Sequence, residues 1–158
     1  MEDKRGPIVR LPPVDQIGIV VKDIDPVVEH YTSLFGLGPF EVREVELKGF
    51  IYQDEPHDCR LRVAFTQSGP VQIELIQILE GQSPHSEFLQ QKGEGLQHLR
   101  FLVEDCPAVL AKLAEAGIKP VWHRGVPVFG YLNTDQIGGV MFEMVDARQM
   151  KRREGIDE

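Results

Sequence analysis

Only two cysteines occur in the 158 residues, Cys59 and Cys106, and neither has a second thiol at metal-ligand spacing. A disulfide framework and a thiolate zinc site are therefore not expected; reduced thiols in a cytoplasmic chain are. No apolar run approaches the roughly 20 residues that a membrane span requires. The N-terminus, Met1-Glu2-Asp3-Lys4-Arg5 followed by Pro-rich sequence, has no secretory-signal pattern. Positive charge is scarce too: 17 Lys and Arg against 25 Asp and Glu leave a net charge of −8, which argues against phosphate-backbone binding and a nucleic-acid partner. The one basic cluster, Lys151-Arg152-Arg153, shares a charged tail (148–158) with Glu154, Asp157 and Glu158 and reads as a solvated terminus. Aromatic residues reach only 8%, little for an aromatic-lined binding cleft. Hydrophobic residues make up 42%, enough for one domain with a core.

Within that core, two acids are out of place. Glu74 stands in Val71-Gln72-Ile73-Glu74-Leu75-Ile76, and Glu143 in Gly138-Gly139-Val140-Met141-Phe142-Glu143-Met144-Val145. Both runs read as buried strands. A carboxylate is rarely buried without a partner, because an unpaired buried charge prefers to neutralise. Two acids in matching contexts ask for a shared cation.

The matching context is a repeat. Gln16-Ile17-Gly18-Ile19-Val20-Val21-Lys22-Asp23 aligns with His98-Leu99-Arg100-Phe101-Leu102-Val103-Glu104-Asp105, an offset of 98 − 16 = 82. Glu74 and Glu143 each stand in the last strand of their half. The expected order is strand, helix and three strands, twice: about 14–80 and about 97–147, after an N-terminal arm over 1–13. Asp25-Pro26 is expected to open the first helix as N-cap and first residue, with Gly36 closing it and Val27, Val28, Tyr31, Leu34 and Phe35 as its apolar stripe. Asp105 precedes a second helix stopped by Gly117, and a short helix over 86–91 bridges the halves. Strand alternation then sorts the faces. Ile17, Ile19 and Val21, with Leu99, Phe101 and Val103, take the helix-bearing side; Gln16, Glu74, His98, Arg100 and Glu143 take the other. An amide, an imidazole and two carboxylates are thus expected to converge on the inner face of a curved sheet, beside apolar Val20, Ile76, Met141 and Val145. Taken singly, each has a plainer reading, such as an ion pair between Glu74 and Arg62. His30, His57, His85 and His123 fall outside the pattern and read as surface or loop residues.

These stretches, together with Gly93-Glu94-Gly95-Leu96-Gln97-His98-Leu99-Arg100-Phe101, resemble the vicinal oxygen chelate superfamily, in particular its glyoxalase I and methylmalonyl-CoA epimerase group, over roughly residues 14 to 147. The resemblance implies an α+β fold: two paired βαβββ modules forming a cup-shaped mixed sheet with helices outside. It places four metal ligands on Gln16, Glu74, His98 and Glu143, and it implies that homodimers are common. Epimerases usually carry His where this chain has Gln16, whereas some glyoxalase I enzymes carry Gln. Bacterial epimerases can also use an acid on the strand before that of Glu74, which here reads Leu61-Arg62-Val63-Ala64-Phe65 and has none.

An imidazole with three oxygen donors suits an open six-coordinate divalent ion: Zn, Ni, Co, Mn or Fe. Such an ion beside a mobile carboxylate serves proton abstraction next to a carbonyl. By resemblance to glyoxalase I, Glu143 is the expected base and Glu74 its counterpart; Arg100 is a candidate grip for a substrate anion or an ordinary salt-bridge partner. The expectation is a metal-dependent isomerase or lyase acting on a small carbonyl or thioester substrate, closest to methylmalonyl-CoA epimerase. Glyoxalase I chemistry on a hemithioacetal is the enzymatic alternative. A metal-free antibiotic-binding protein of the same fold is the alternative of another class.

Overall fold

Each half of the chain runs strand, helix, strand, strand, strand. The computed structural model describes residues 5–124 and 129–153. The first half comprises β1 (Gln16–Val20), α1 (Ile24–Phe35), β2 (Glu41–Tyr52), β3 (Glu55–Ser68) and β4 (Val71–Gly81). A bridging helix, α2 (Pro84–Lys92), leads to β5 (Gly95–Val103), α3 (Cys106–Glu115), β6 (Pro120–His123), β7 (Phe129–Leu132) and β8 (Met141–Asp146). The expected charged tail begins as a short helix, α4 (Ala147–Arg153); residues 154–158 lie outside the described residues. Among the described residues, none of the helices is long and apolar enough to cross a membrane.

The sheet is mixed and curved to closure, in the order β1-β4-β3-β2-β6-β7-β8-β5. β1 with β4, and β5 with β8, pair parallel; the halves join through antiparallel β1 and β5 and, on the far side, through Ile51 with His123 and Tyr52 with Trp122. Strand alternation divides the apolar residues. Outward-facing Ile19, Ile73 and Leu75 pack under α1 with Ile24, Val27, Val28 and Tyr31. Met144 and Val103 pack under α3 with Leu110 and Leu113, and Leu11 of the N-terminal arm closes over them. Ile24 and Leu75 are wholly buried, and each such side chain contributes about 1.5–3 kcal/mol. A third cluster fills one end of the barrel interior, where Val20, Ile76, Trp122 and Tyr131 meet Phe88 and Leu89 of α2.

Two local expectations need correction. The cap of α1 is Asp23, extended at φ −145°, whose carboxylate accepts from the Asp25 backbone N–H. Asp25 instead pairs with Arg62 at 2.8 Å, so Arg62 is not the partner of Glu74. In the sequence either Asp precedes the apolar run by a suitable spacing; contact with β4 decides, because the Ile24 N–H also needs the Gln77 side-chain oxygen at 3.0 Å. Secondly, Leu34 and Phe35 do not complete the buried stripe. The last turn of α1 carries them into solvent before Gly36 ends it in the left-handed region.

Candidate functional site

Register builds the site. β4, β1, β5 and β8 lie side by side, and one row across them reads Glu74, Gly18, His98, Met141. The next row on the same face reads Gln72, Gln16, Arg100, Glu143, and it continues to Tyr131 on β7. Gln16, Glu74, His98, Arg100 and Glu143 are therefore neighbours on the inner wall, brought there from both halves.

His98 is the hub. Its Nε2 lies 2.9 Å from Gln16 Oε1, 3.0 Å from Glu143 Oε2 and 3.7 Å from Glu74 Oε1. The Gln16 amide is held in that orientation because its NH₂ donates to Gln72 Oε1 at 2.7 Å. His98 is fully buried and the Glu74 side chain is only 15% exposed. Burial works against a cation at His98, but Glu143, by charge and hydrogen bond, and then Glu74 outweigh it and raise its pKa. Glu74 is pushed up to about 7, first by burial and further by Glu143, although His98 and Arg100 pull it down. One imidazole does not balance two buried acids.

Sequence reasoning missed three residues here. Gly18 lies opposite His98, and a Cβ on it would overlap the imidazole at Cε1, Nδ1 and Nε2. The ring thus fills the space that a side chain on β1 would occupy. His85, expected as a surface or loop residue, is 1% exposed: α2 crosses the end of the barrel and turns this second helical residue inward. Burial, and then His98, lower its pKa to about 3, so it is neutral. Tyr131 contacts both histidines, with its hydroxyl 2.8 Å from His85 Nε2 and 3.2 Å from His98 Nδ1. The Ser83-Pro84 helix start was the available signal for His85, since it fixes where α2 begins.

Arg100 lines the cavity and is also tied down, its Nε and Nη2 donating to both carboxylate oxygens of Asp15 at 3.1 and 2.7 Å. The two readings of Arg100 are compatible, because a forked pair fixes the guanidinium beside Glu143. Replacing Asp15 with Asn removes a charged partner from a largely buried group and is expected to cost about 1–3 kcal/mol. A lowered urea midpoint at unchanged m-value measures this.

The polar floor opens into a cavity of about 850 Å³ whose walls include Val45, Leu61, Val63, Phe65 and Trp122, with Arg43 and Arg124 also lining it. The β3 positions facing it, Leu61, Val63 and Phe65, are all apolar.

Residues 15–131 match the Glyoxalase/Bleomycin resistance protein/Dioxygenase superfamily. The chain belongs to this superfamily. It is 27% identical over 140 residues to the uncharacterized protein YqjC of Bacillus subtilis (strain 168), spanning 85% of this chain and 92% of that protein. Methylmalonyl-CoA epimerase from Mycobacterium tuberculosis is a structural neighbour at 26% identity and TM-score 0.58, covering 85% of this chain and 87% of that one. A Streptomyces coelicolor methylmalonyl-CoA epimerase in complex with 2-nitronate-propionyl-CoA shares the fold at 23% identity and TM-score 0.63, covering 85% and 94%.

Among the described residues, no three His, Cys, Asp or Glu side chains already stand at ligand spacing; the acids touch the imidazole directly. The chemistry nonetheless fits: an imidazole nitrogen, an oriented amide oxygen and two carboxylates meet at one point, with negative charge in excess. A divalent ion would relieve that excess.

Proposed function

We propose that the protein is a metal-dependent enzyme that removes and returns the proton α to a carbonyl, with an acyl-CoA thioester of the methylmalonyl-CoA type as its substrate. The observation that carries this reading is the meeting of Gln16, Glu74 and Glu143 at His98 Nε2 on the floor of the cavity. Gln16, Glu74, His98 and Glu143 are the residues that would hold the ion, which, when bound, supplies Lewis-acid polarisation of the substrate carbonyl.

The protein's own groups supply the rest. Glu74 on β4 and Glu143 on β8 reach the site from opposite flanks of the β1–β5 pair. An α-carbon between them can lose its proton to one carboxylate and regain one from the other, which inverts its configuration. The apolar β3 wall adds no third base, and it excludes water from the acyl group. Arg100, fixed by Asp15, faces the same space and can take a substrate carboxylate.

The amide oxygen of Gln16 favours a second reading, a glyoxalase-type rearrangement, in which the proton returns to the neighbouring carbon. One experiment separates the two. The protein is loaded in turn with Zn, Ni, Co, Mn or Fe(II) and given one epimer of methylmalonyl-CoA in D₂O. Deuterium at the α-carbon with loss of optical purity is the expected result. No exchange with any metal overturns the epimerase reading, and turnover of a ketoaldehyde hemithioacetal instead establishes the second. A chain that binds no metal overturns both and leaves the small-molecule-binding alternative.

A further inference from the structure

The superfamily likeness and the four-residue centre leave a buried polar chain behind His98 without a role. It starts at His98 Nδ1, which lies 2.7 Å from the side-chain oxygen of Gln97. The Gln97 amide is oriented by its other end, whose NH₂ reaches Met141 Sδ at 3.5 Å. An amide oxygen only accepts, so His98 Nδ1 carries a proton whatever the state of Nε2; Nε2 faces the Gln16 oxygen and the acids, acceptors too, and is the nitrogen whose proton a metal would displace. The Tyr131 oxygen, 3.2 Å from the same N–H, is a second acceptor and directs its own hydrogen away. His85 Nε2 stands 2.8 Å from that hydroxyl and accepts it. His85 must then carry its proton on Nδ1, and Ser83 Oγ lies 3.2 Å away to receive it. Ser83 in turn caps α2, accepting from the Ser86 N–H. In this sense each of the three donors, His98 Nδ1–H, the Tyr131 hydroxyl and His85 Nδ1–H, faces an acceptor.

Packing holds the path still. Tyr131 is 3% exposed, and its ring lies 5.0 Å from that of His98. His85 stands edge-on to Trp122 at 5.2 Å and to Tyr131 at 5.3 Å. Burial, with Glu143 and Glu74 nearby, raises the Tyr131 pKa well above its ordinary value, so the phenol keeps its hydrogen.

We propose that Tyr131 and His85 are positioning residues that, with Gln97, keep a proton on His98 Nδ1 and hold the ring with Nε2 turned to Glu74, Glu143 and Gln16, and that they tie this orientation to the N-cap of α2. The consequence for metal affinity rests on the function proposed above, whereas the hydrogen-bond direction does not. Hydrogen-bonded supports of this kind fix both tautomer and ring orientation of a ligating histidine, and losing one weakens metal binding about 10–100-fold.

The test uses the full chain labelled with ¹⁵N-histidine. In metal-free wild type at neutral pH, His85 is expected as the neutral Nδ1–H tautomer with Nε2 unprotonated. In Tyr131→Phe, which keeps the ring and removes the hydroxyl, His85 is expected to mix tautomers and the His98 ring signals to shift. A wild-type His85 protonated on Nε2, or His85 and His98 signals unchanged in Tyr131→Phe, overturns the proposal. Co²⁺ affinity by chelator competition is the second readout, with a 10–100-fold loss expected in Tyr131→Phe and in His85→Leu. His85→Gln, of similar bulk but with an oxygen acceptor for Tyr131, is expected to recover most of that loss. Equal loss in the Leu and Gln variants means that packing alone acts, and it overturns the relay. Wild type that binds no Co²⁺ sinks the metal reading above, while the tautomer measurement still decides the direction of the chain.

Discussion

Gly18→Ala is expected to disable the site while leaving all four proposed ligands in the sequence. The Cβ it adds would overlap the His98 ring at Cε1, Nδ1 and Nε2. His98 cannot give way easily, because it is fully buried and tied at Nδ1 to Gln97 and at Nε2 to Gln16. Either the ring rotates away from the acids or β1 separates from β5. The first outcome moves Nε2 by more than the ~1 Å that can already cost about 10²-fold in rate. The second adds an overpacking cost of about 1–3 kcal/mol. Activity is therefore expected to fall at least about 10²-fold, with a lowered urea midpoint. A double-mutant cycle identifies the cause: in a His98→Ala background there is room for the new methyl, and the stability cost of Gly18→Ala should largely vanish. The same cost in both backgrounds would place the strain elsewhere.

Gly18 also marks where the sequence stopped being readable. In Asp15-Gln16-Ile17-Gly18-Ile19-Val20 a glycine suggests a bulge or a close approach, but not which residue approaches. The answer depends on β1 and β5 lying antiparallel with Gly18 opposite His98, a register that no single strand encodes. Parity within a strand, by contrast, is local, which is why Gln16, Glu74, His98, Arg100 and Glu143 could be assigned to one face before any pairing was known. The internal repeat supplied the remaining step, that the two sets meet. His85 was only half legible: Ser83-Pro84 marks where its helix starts, but the helix is nine residues long and weakly amphipathic, and only the crossing of α2 over the barrel end turns His85 inward. Tyr131 sits on a four-residue strand, too short for alternation to show a face.

Glu143→Gln tests the chemistry itself. The substitution keeps size and shape and removes the proposed proton acceptor, at a side chain 8% exposed whose carboxylate lies 3.0 Å from His98 Nε2. Net epimerisation is expected to fall about 10²–10⁴-fold, the usual contribution of a positioned general base. Because Glu74 approaches from the opposite flank, the loss should be one-sided. With Glu143 gone, Glu74 can still exchange the α-proton of the epimer that points toward it, and Glu74→Gln should spare the other epimer. Deuterium wash-in from each pure epimer, with metal content measured on the same samples, reads this directly. Opposite selectivity in the two variants, both still metal-loaded, is the signature of two bases flanking one carbon. Loss of exchange from both epimers together with the metal would instead make Glu143 a holder of the ion and nothing more. Epimerisation within about threefold of wild type in metal-loaded Glu143→Gln would remove Glu143 from the chemistry, since a positioned general base typically contributes about 10²-fold or more.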